Sequence, residues 1–306
     1  DAMELGNHEF DFGQAALAKN ARHAKFPFLC TNIKITATGR TPSFCKPYEI
    51  IEQRGKRIAI FGLITPDTPV LTHPKNVIGL TFLDPIETAR KLVAKLERER
   101  PKVDVIIALT HIGYEMDRRL AEEVSGINVI VGGHSHTKID VPEMVGNAII
   151  VQAWENGKVV GRLDLEMRGK EIVRFSGGLI DVTADVPEDR KVKKMVEGYA
   201  AQLGEAMKEV VGSTLVPLVG DKPLIRTQET NLGDLVADTM RWAAGPDVQI
   251  ALMNGGGIRW HLTFPAGPIT RGDVYNLLPF GNVLVMMDLT GAQVRLALEN
   301  GVSQWA

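Results

Sequence analysis

"VDVIIALTHIG", residues 103–113, sets five consecutive apolar residues, Val105 to Leu109, ahead of a threonine, a histidine and a glycine. A short β-branched run of this kind, with no polar alternation, is a strand buried on both faces. "RIAIFGL" at 57–63 and "INVIV" at 127–131 have the same character. Between these runs, 84–99 and 114–125 carry helical spacing: Leu92, Val93 and Leu96 in one, Met116, Leu120 and Val124 in the other. Strands alternating with helices predict a layered α/β sheet. At 158–178 the period changes to two, with Leu163, Leu165 and Met167 alternating against Arg162, Asp164 and Glu166, which predicts a β-hairpin.

The chain has 306 residues, 44% of them hydrophobic and 24% charged, enough for roughly two domains each with a buried core. Lys plus Arg number 35 against 37 Asp plus Glu, so no polybasic surface argues for a nucleic-acid polymer or an anionic membrane. No apolar run is long enough for a membrane span, no signal-peptide pattern is present, and no obvious protein partner is indicated. Cys30 and Cys45 lack metal-site spacing; a buried thiol pair is the plainer reading and one disulfide the sharper.

From Asp185, "DVPEDRKVKKMVEGYAAQLGEAMKEVVG" places Val192, Met195, Val196, Tyr199, Leu203, Met207 and Val210 on one face, with Asp185 as cap and Pro187 in the first turn. A helix over 187–210 is expected, its stripe docked on the protein's own domains. Beyond it a second α/β unit is expected: helix 231–243, strand 248–253, a short helix near 271–277, strand 283–288, and a helix from Thr290 to Asn300 with a T-x-x-Q box. The division is thus 1–184, a linker helix at 185–211, and 212–306.

Catalytic groups on α/β sheets gather in loops at the strands' carboxyl ends. His8, His111, His134 and His136 each follow a predicted strand, whereas His23, His73 and His261 read as local structural side chains. In "VGGHSHT" an extended backbone would point His134 and His136 the same way, and two neutral imidazoles make a metal corner. Asn7, His111 and His134 could supply three ligands to one ion, with His136 turned toward a second. His8 and Asp11, three apart in "GNHEFD", would share a face in a helical turn, so that the carboxylate orients and charges the ring. In the second domain, Arg226 before a helix start, Asn254, Gly256 and Arg259 in "NGGGIR", and Phe280 with Asn282 in "LPFGN" suit an anionic ligand and a flat base. Trp154, Trp242 and Trp260 read as packing residues.

Taken in order, "GNHEFD", "THIG", "GGHSH", "NGGGIR" and "LPFGN" resemble the calcineurin-like metallophosphoesterases, specifically the 5'-nucleotidase and UDP-sugar hydrolase group, over most of the chain. The resemblance implies a four-layer αββα catalytic domain, a linker helix, and a C-terminal α/β substrate-binding domain. It implies two divalent ions such as Zn, Mn or Co, held in part by Asn7, His111, His134 and His136, with His8 and Asp11 as catalytic pair. Arg226, Asn254, Gly256, Arg259, Phe280 and Asn282 would hold a nucleotide. The implied activity is hydrolysis of nucleotide phosphate esters by in-line attack of water, in a periplasmic or extracellular protein.

Cyclic-nucleotide phosphodiesterase, UDP-sugar diphosphatase and sulfur-oxidation thiohydrolase activities are the alternatives within the group. A non-catalytic nucleotide-binding module is the alternative outside it, and would have no need of His8 and Asp11. The family also carries D-x-H and G-D motifs on earlier strands, which would lie before Asp1, and a second base-stacking aromatic, which would lie beyond Ala306. The chain is therefore expected to be a fragment that lacks three metal ligands, including the bridging carboxylate, with little or no activity alone.

Overall fold

A computed structural model of the chain describes residues 1–169, 171–260 and 262–303; His261 lies outside them. Two compact units are present, Asp1–Pro187 and a second from Glu188 onward.

The first unit opens with β1 (Met3–Glu4), a 3₁₀ turn over Asn7–Phe10, and α1 (Gly13–His23). Then follow β2 (Phe28–Leu29), β3 (Ile33–Ile35), β4 (Tyr48–Gln53), β5 (Lys56–Ile64), α2 (Thr68–Leu71), β6 (Leu80–Phe82) and α3 (Pro85–Leu96). The unit continues through β7 (Val105–His111), α4 (Tyr114–Glu123), β8 (Val129–Gly132), β9 (Glu143–Val145), β10 (Ala148–Gln152), β11 (Val159–Arg168) and β12 (Glu171–Asp181). The runs at 57–63, 103–109 and 127–131 thus form β5, β7 and β8, and the alternating stretch forms the β11–β12 hairpin.

The main sheet has the order β4-β5-β7-β8-β10-β9. β5, β7, β8 and β10 run parallel, with Ile64 opposite His111, Leu109 opposite Val131, and Gly132 opposite Gln152. That register brings four carboxyl ends to one edge. On one face, Ala59, Phe61 and Leu63 pack against Ile86, Ala89, Leu92 and Val93 of α3 and Leu120 of α4. Full burial of each such aliphatic side chain contributes roughly 1.5–3 kcal/mol. Asp84 starts α3 by accepting from Glu87 N at 2.8 Å, with Pro85 next, as an N-terminus requires. On the other face lie the small sheets β1-β2 and β3-β6, whose Leu5, Phe28 and Ile33 share a second core with Ile64 and with Leu17 of α1. The layers therefore run helix, sheet, sheet, helix. Gly62 makes the contact between sheets possible: a Cβ there would stand 1.5 Å from Glu4 Oε2 and 2.8 Å from Leu29 Cβ.

Cys30 and Cys45 are joined by a disulfide with a Cα–Cα distance of 5.8 Å, so the thiol-pair reading is overturned. The bridge borders the pocket where Phe10 meets Phe44 and Phe82 edge-on, and so braces the turn that carries Asn7 and His8.

In the second unit, α5 (Arg190–Leu203) is shorter than expected. Its cap is Asp189, which accepts from Lys191 N and Val192 N, because that carboxylate rather than Asp185 is adjacent to the first free N–H groups. The expected burial of its stripe is not seen: Met195, Val196 and Tyr199 are each 60% exposed or more. After it come β13 (Val210–Thr214), β14 (Leu218–Val219), α6 (Lys222–Thr227), α7 (Asn231–Ala244), β15 (Thr263–Phe264), β16 (Gly267–Thr270), α8 (Arg271–Leu277) and α9 (Gly291–Gly301). Pairs β13-β16 and β14-β15 are antiparallel, and Leu218, Ile225, Leu232, Val236 and Ile258 form the core. Thr290 and Gln293 make the expected capping box.

The strands expected at 248–253 and 283–288 do not form. Both have β composition, yet neither has a ladder partner among the described residues, and backbone pairing rather than composition makes a strand. Trp242, expected to pack, is 84% exposed, while Trp260 does pack, 5.0 Å from Phe264.

Candidate active site

The loops after β1, β7 and β8 bring three expected ligands together. Asn7 Oδ1 lies 3.0 Å from His111 Nε2, and His134 Nδ1 lies 3.2 Å from the same nitrogen. Asn7 is buried, and a Cβ on Gly6 would meet the His111 ring at 2.9 Å, so the turn rests directly on the imidazole. Burial and the neighbouring imidazoles His134, His8 and His136 push His111 down to about 4. His134 is lowered by burial and by His136 and His8, against an opposing pull from Asp67. Both rings are therefore neutral near pH 7, the form in which imidazole binds a metal.

The 3₁₀ turn also fulfils the i,i+3 expectation for "GNHEFD". His8 Nδ1 lies 2.7 Å from Asp11 Oδ2, while Thr72 donates to Asp11 Oδ1 at 3.0 Å and Asn76 Nδ2 donates to Asp11 O at 2.9 Å. Glu9 closes the turn by accepting from Gly6 N at 2.6 Å. His8 is half-exposed, so the pair combines a fixed carboxylate with an accessible ring.

"GGHSHT" departs from the expected extended backbone. His134 has φ 76° and His136 has φ 59°, and Ser135 N bonds back to Gly133 O. The two rings accordingly go to different partners, His134 to His111 and His136 to Glu155 at 2.9 Å. Beneath the loop, Thr110 donates to Asp117 Oδ1 at 2.6 Å, and Gln152 Oε1 accepts from Ser135 Oγ and Thr137 N. Asp117 is wholly buried and its pKa is pushed up to about 7 by desolvation. A Cβ on Gly132 would stand 2.3 Å from Asp117 Oδ2 and 2.9 Å from Gln152 Nε2, so only glycine fits over this layer.

Among the described residues no three His, Cys, Asp or Glu side chains converge as a metal cage; the third donor beside His111 and His134 is the Asn7 amide. Tetrahedral ligands with bonds of about 2.0–2.1 Å stand roughly 3.3 Å apart. The observed donor spacings and neutral imidazoles fit such an ion. Sequence reasoning missed Asp67, Asp117, Gln152 and Glu155; Asp67 follows β5, which the sequence does predict, so the same placement rule finds it, whereas Glu155 follows β10, which the sequence does not announce. Among the described residues His23 and His73 make local bonds, to Lys19 O and from Lys75 N.

In the second unit Arg226, Asn254, Gly256, Arg259 and Phe280 cluster. Gly255 packs on α6 so closely that a Cβ would reach Ile225 O at 2.5 Å. Asn254 Oδ1 accepts from Gly256 N at 3.0 Å, and Arg226 Nη2 lies 3.6 Å from where a Cβ on Gly256 would be. Arg259 donates to Gly256 O at 3.3 Å and stacks 5.6 Å from the Phe280 ring. Asn282 is exposed and is not tied to this cluster by any bond among the described residues.

Residues 2–138 match the calcineurin-like phosphoesterase family and residues 210–306 match the 5'-nucleotidase C-terminal domain. The chain belongs to the 5'-nucleotidase group of calcineurin-like phosphoesterases. It is 37% identical to the trifunctional nucleotide phosphoesterase protein YfkN of Bacillus subtilis, over 99% of the chain and 23% of that protein. It is 32% identical to a 5'-nucleotidase of Vibrio cholerae, over 96% of the chain and 60% of that protein. The solved structure of a 5'-nucleotidase precursor from Thermus thermophilus superposes with a TM-score of 0.88 at 41% identity, covering 99% of this chain and 63% of that one. This member of the 5'-nucleotidase group thus spans less than two thirds of each of these relatives.

Proposed function

We propose that the protein hydrolyses phosphate esters of nucleotides, as its relatives' names state of them. The carrying observation is the meeting of Asn7 Oδ1, His111 Nε2 and His134 Nδ1 within 3.0 and 3.2 Å, beside the His8–Asp11 pair. Asn7, His111 and His134 would hold one divalent ion and His136 would contribute to a second; such ions polarise phosphoryl oxygens. Asp11, itself held by Thr72, fixes the His8 ring through Nδ1, and that ring would stabilise a phosphoryl oxygen or pass a proton to the leaving alkoxide. Arg226 and Arg259 offer charge-assisted hydrogen bonds to an anionic group, Asn254 and Gly256 shape their loop, and Phe280 with Asn282 recognises the base.

Asn7 offers a neutral amide, and His111 and His134 are held in the neutral form, so these three donors bring no negative charge to an ion. Export to the periplasm or the extracellular space is supported by the Cys30–Cys45 disulfide, which persists in oxidising compartments; no helix among the described residues is long and apolar enough to cross a membrane. The test is phosphate release from nucleoside monophosphates by the protein with saturating Mn²⁺ or Zn²⁺. His134→Ala should remove at least about 100-fold of kcat/KM, comparable to other losses of a key electrostatic contact; undiminished release would overturn the proposal.

A further inference from the structure

The segment "AWENGK", Ala153–Lys158, joins β10 to β11 and is laced to the loop that carries His136. Trp154 N bonds to Thr137 O at 3.3 Å, Lys138 bridges to Ala153, and Gln152 holds both Ser135 and Thr137. Two ammonium groups lie over the Trp154 ring, Lys158 Nζ at 4.3 Å and Lys138 Nζ at 5.5 Å from its centroid. Trp154 has φ 54°, uncommon for a bulky side chain and kept only where the surroundings enforce it, while Asn156 (φ 55°) and Gly157 (φ 66°) take the left-handed pair that an Asn-Gly turn favours. Glu155, between Trp154 and Asn156, has a side chain only 9% exposed; its Oε2 meets His136 Nδ1 at 2.9 Å and its Oε1 meets Lys158 Nζ at 2.9 Å.

We propose that Glu155 is the positioning residue of His136: by accepting the Nδ1–H bond it holds the ring in one tautomer and presents the Nε2 lone pair to a divalent cation. Lys158 and the left-handed backbone on either side keep the carboxylate aimed inward. The inference rests on the reading of His136 as a metal ligand. Carboxylates that orient a metal-binding histidine in this way typically set affinity by 10–100-fold.

Ring ¹⁵N shifts of His136 in the metal-free protein at about pH 8, where a free imidazole is neutral, read the tautomer directly. The wild type should show the Nδ1–H form. E155Q, whose amide oxygen still accepts, should keep it, and E155A should shift the ring toward Nε2–H. Zinc titration should show E155A binding about 10–100-fold more weakly than wild type, with E155Q between them. An Nε2–H tautomer in the wild type overturns the proposal without any variant, and so does an E155A protein with unchanged tautomer and zinc affinity. If the tautomer responds to E155A yet the wild type takes up no zinc, the metal reading has failed while the Glu155 contact has not.

Discussion

The cleft of the first unit and the loop cluster of the second are built in opposite ways. In the cleft, side chains touch side chains: Asn7, His111 and His134 meet above a buried layer of Thr110, Asp117 and Gln152, and each stands at or just beyond a strand or turn fixed by a core. In the second unit, Arg226 and Asn254 are exposed, and the arrangement is held largely by backbone contacts of the "NGGGIR" loop. Phosphoryl transfer needs groups placed to a fraction of an ångström, whereas recognition of a ligand tolerates adjustment on binding. The first region should therefore respond sharply to single atoms and to protons, and the second chiefly through affinity.

The largest expected effect is a pair of opposed pH dependences inside the cleft. His111 falls to about 4 from an ordinary 6.5, so the unfolded chain binds more protons between those values, and its contribution to stability is lost as pH falls from 6.5 toward 4. Asp117 rises to about 7 from 3.8, so the folded state binds more protons and stability is lost as pH rises through that window. Each is worth at most about 3–4 kcal/mol. Because the windows overlap, the wild type should show a shallow profile between about pH 4 and 6.5. Asp117→Asn should unmask a steep gain in stability with rising pH, read by urea melts at several pH values; a variant profile as flat as the wild type's would remove the electrostatic account of the cleft. Gly132→Ala comes next, with a Cβ 2.3 Å from Asp117 Oδ2, and should cost about 1–3 kcal/mol in thermal melts. An unperturbed melt would mean that the buried layer is soft, and the contrast with the second unit would disappear. Smallest is Arg259→Ala, expected to raise KM for a nucleotide roughly tenfold, about 1.4 kcal/mol, with little change in kcat or melting temperature. A fall in kcat at constant KM would assign Arg259 to the chemistry instead.

Much of the first unit could be read from the chain. Runs such as Val105–Leu109 admit few interpretations, and the strand-end rule selects His8, His111 and His134 without any coordinates. The His134–His136 pair is misread from sequence because spacing says nothing of φ, and a turn closed by a Ser135–Gly133 bond separates rings that an extended chain would align. Glu155 and Asp117 escape sequence reasoning for a different reason: one follows a strand the sequence does not announce, and the other lies with Glu115 in the first turn of α4, where an acidic residue reads as a solvent-facing complement to the helix N-terminus. The second unit was less legible. Its Thr290–Gln293 capping box is local and legible in the sequence, whereas "VQIAL" and "VLVMMD" have strand composition without a ladder partner among the described residues, and ladders are settled by tertiary pairing that no local pattern encodes.

The central claim is that strand tips bring Asn7, His111 and His134 to a common point that accepts a divalent cation. Anomalous diffraction from crystals of the protein soaked in Mn²⁺ tests it most directly. The account predicts a peak bounded by Asn7 Oδ1, His111 Nε2 and His134 Nδ1, absent in His134→Ala crystals. Manganese density at other residues, with those three side chains still in mutual contact, would contradict it.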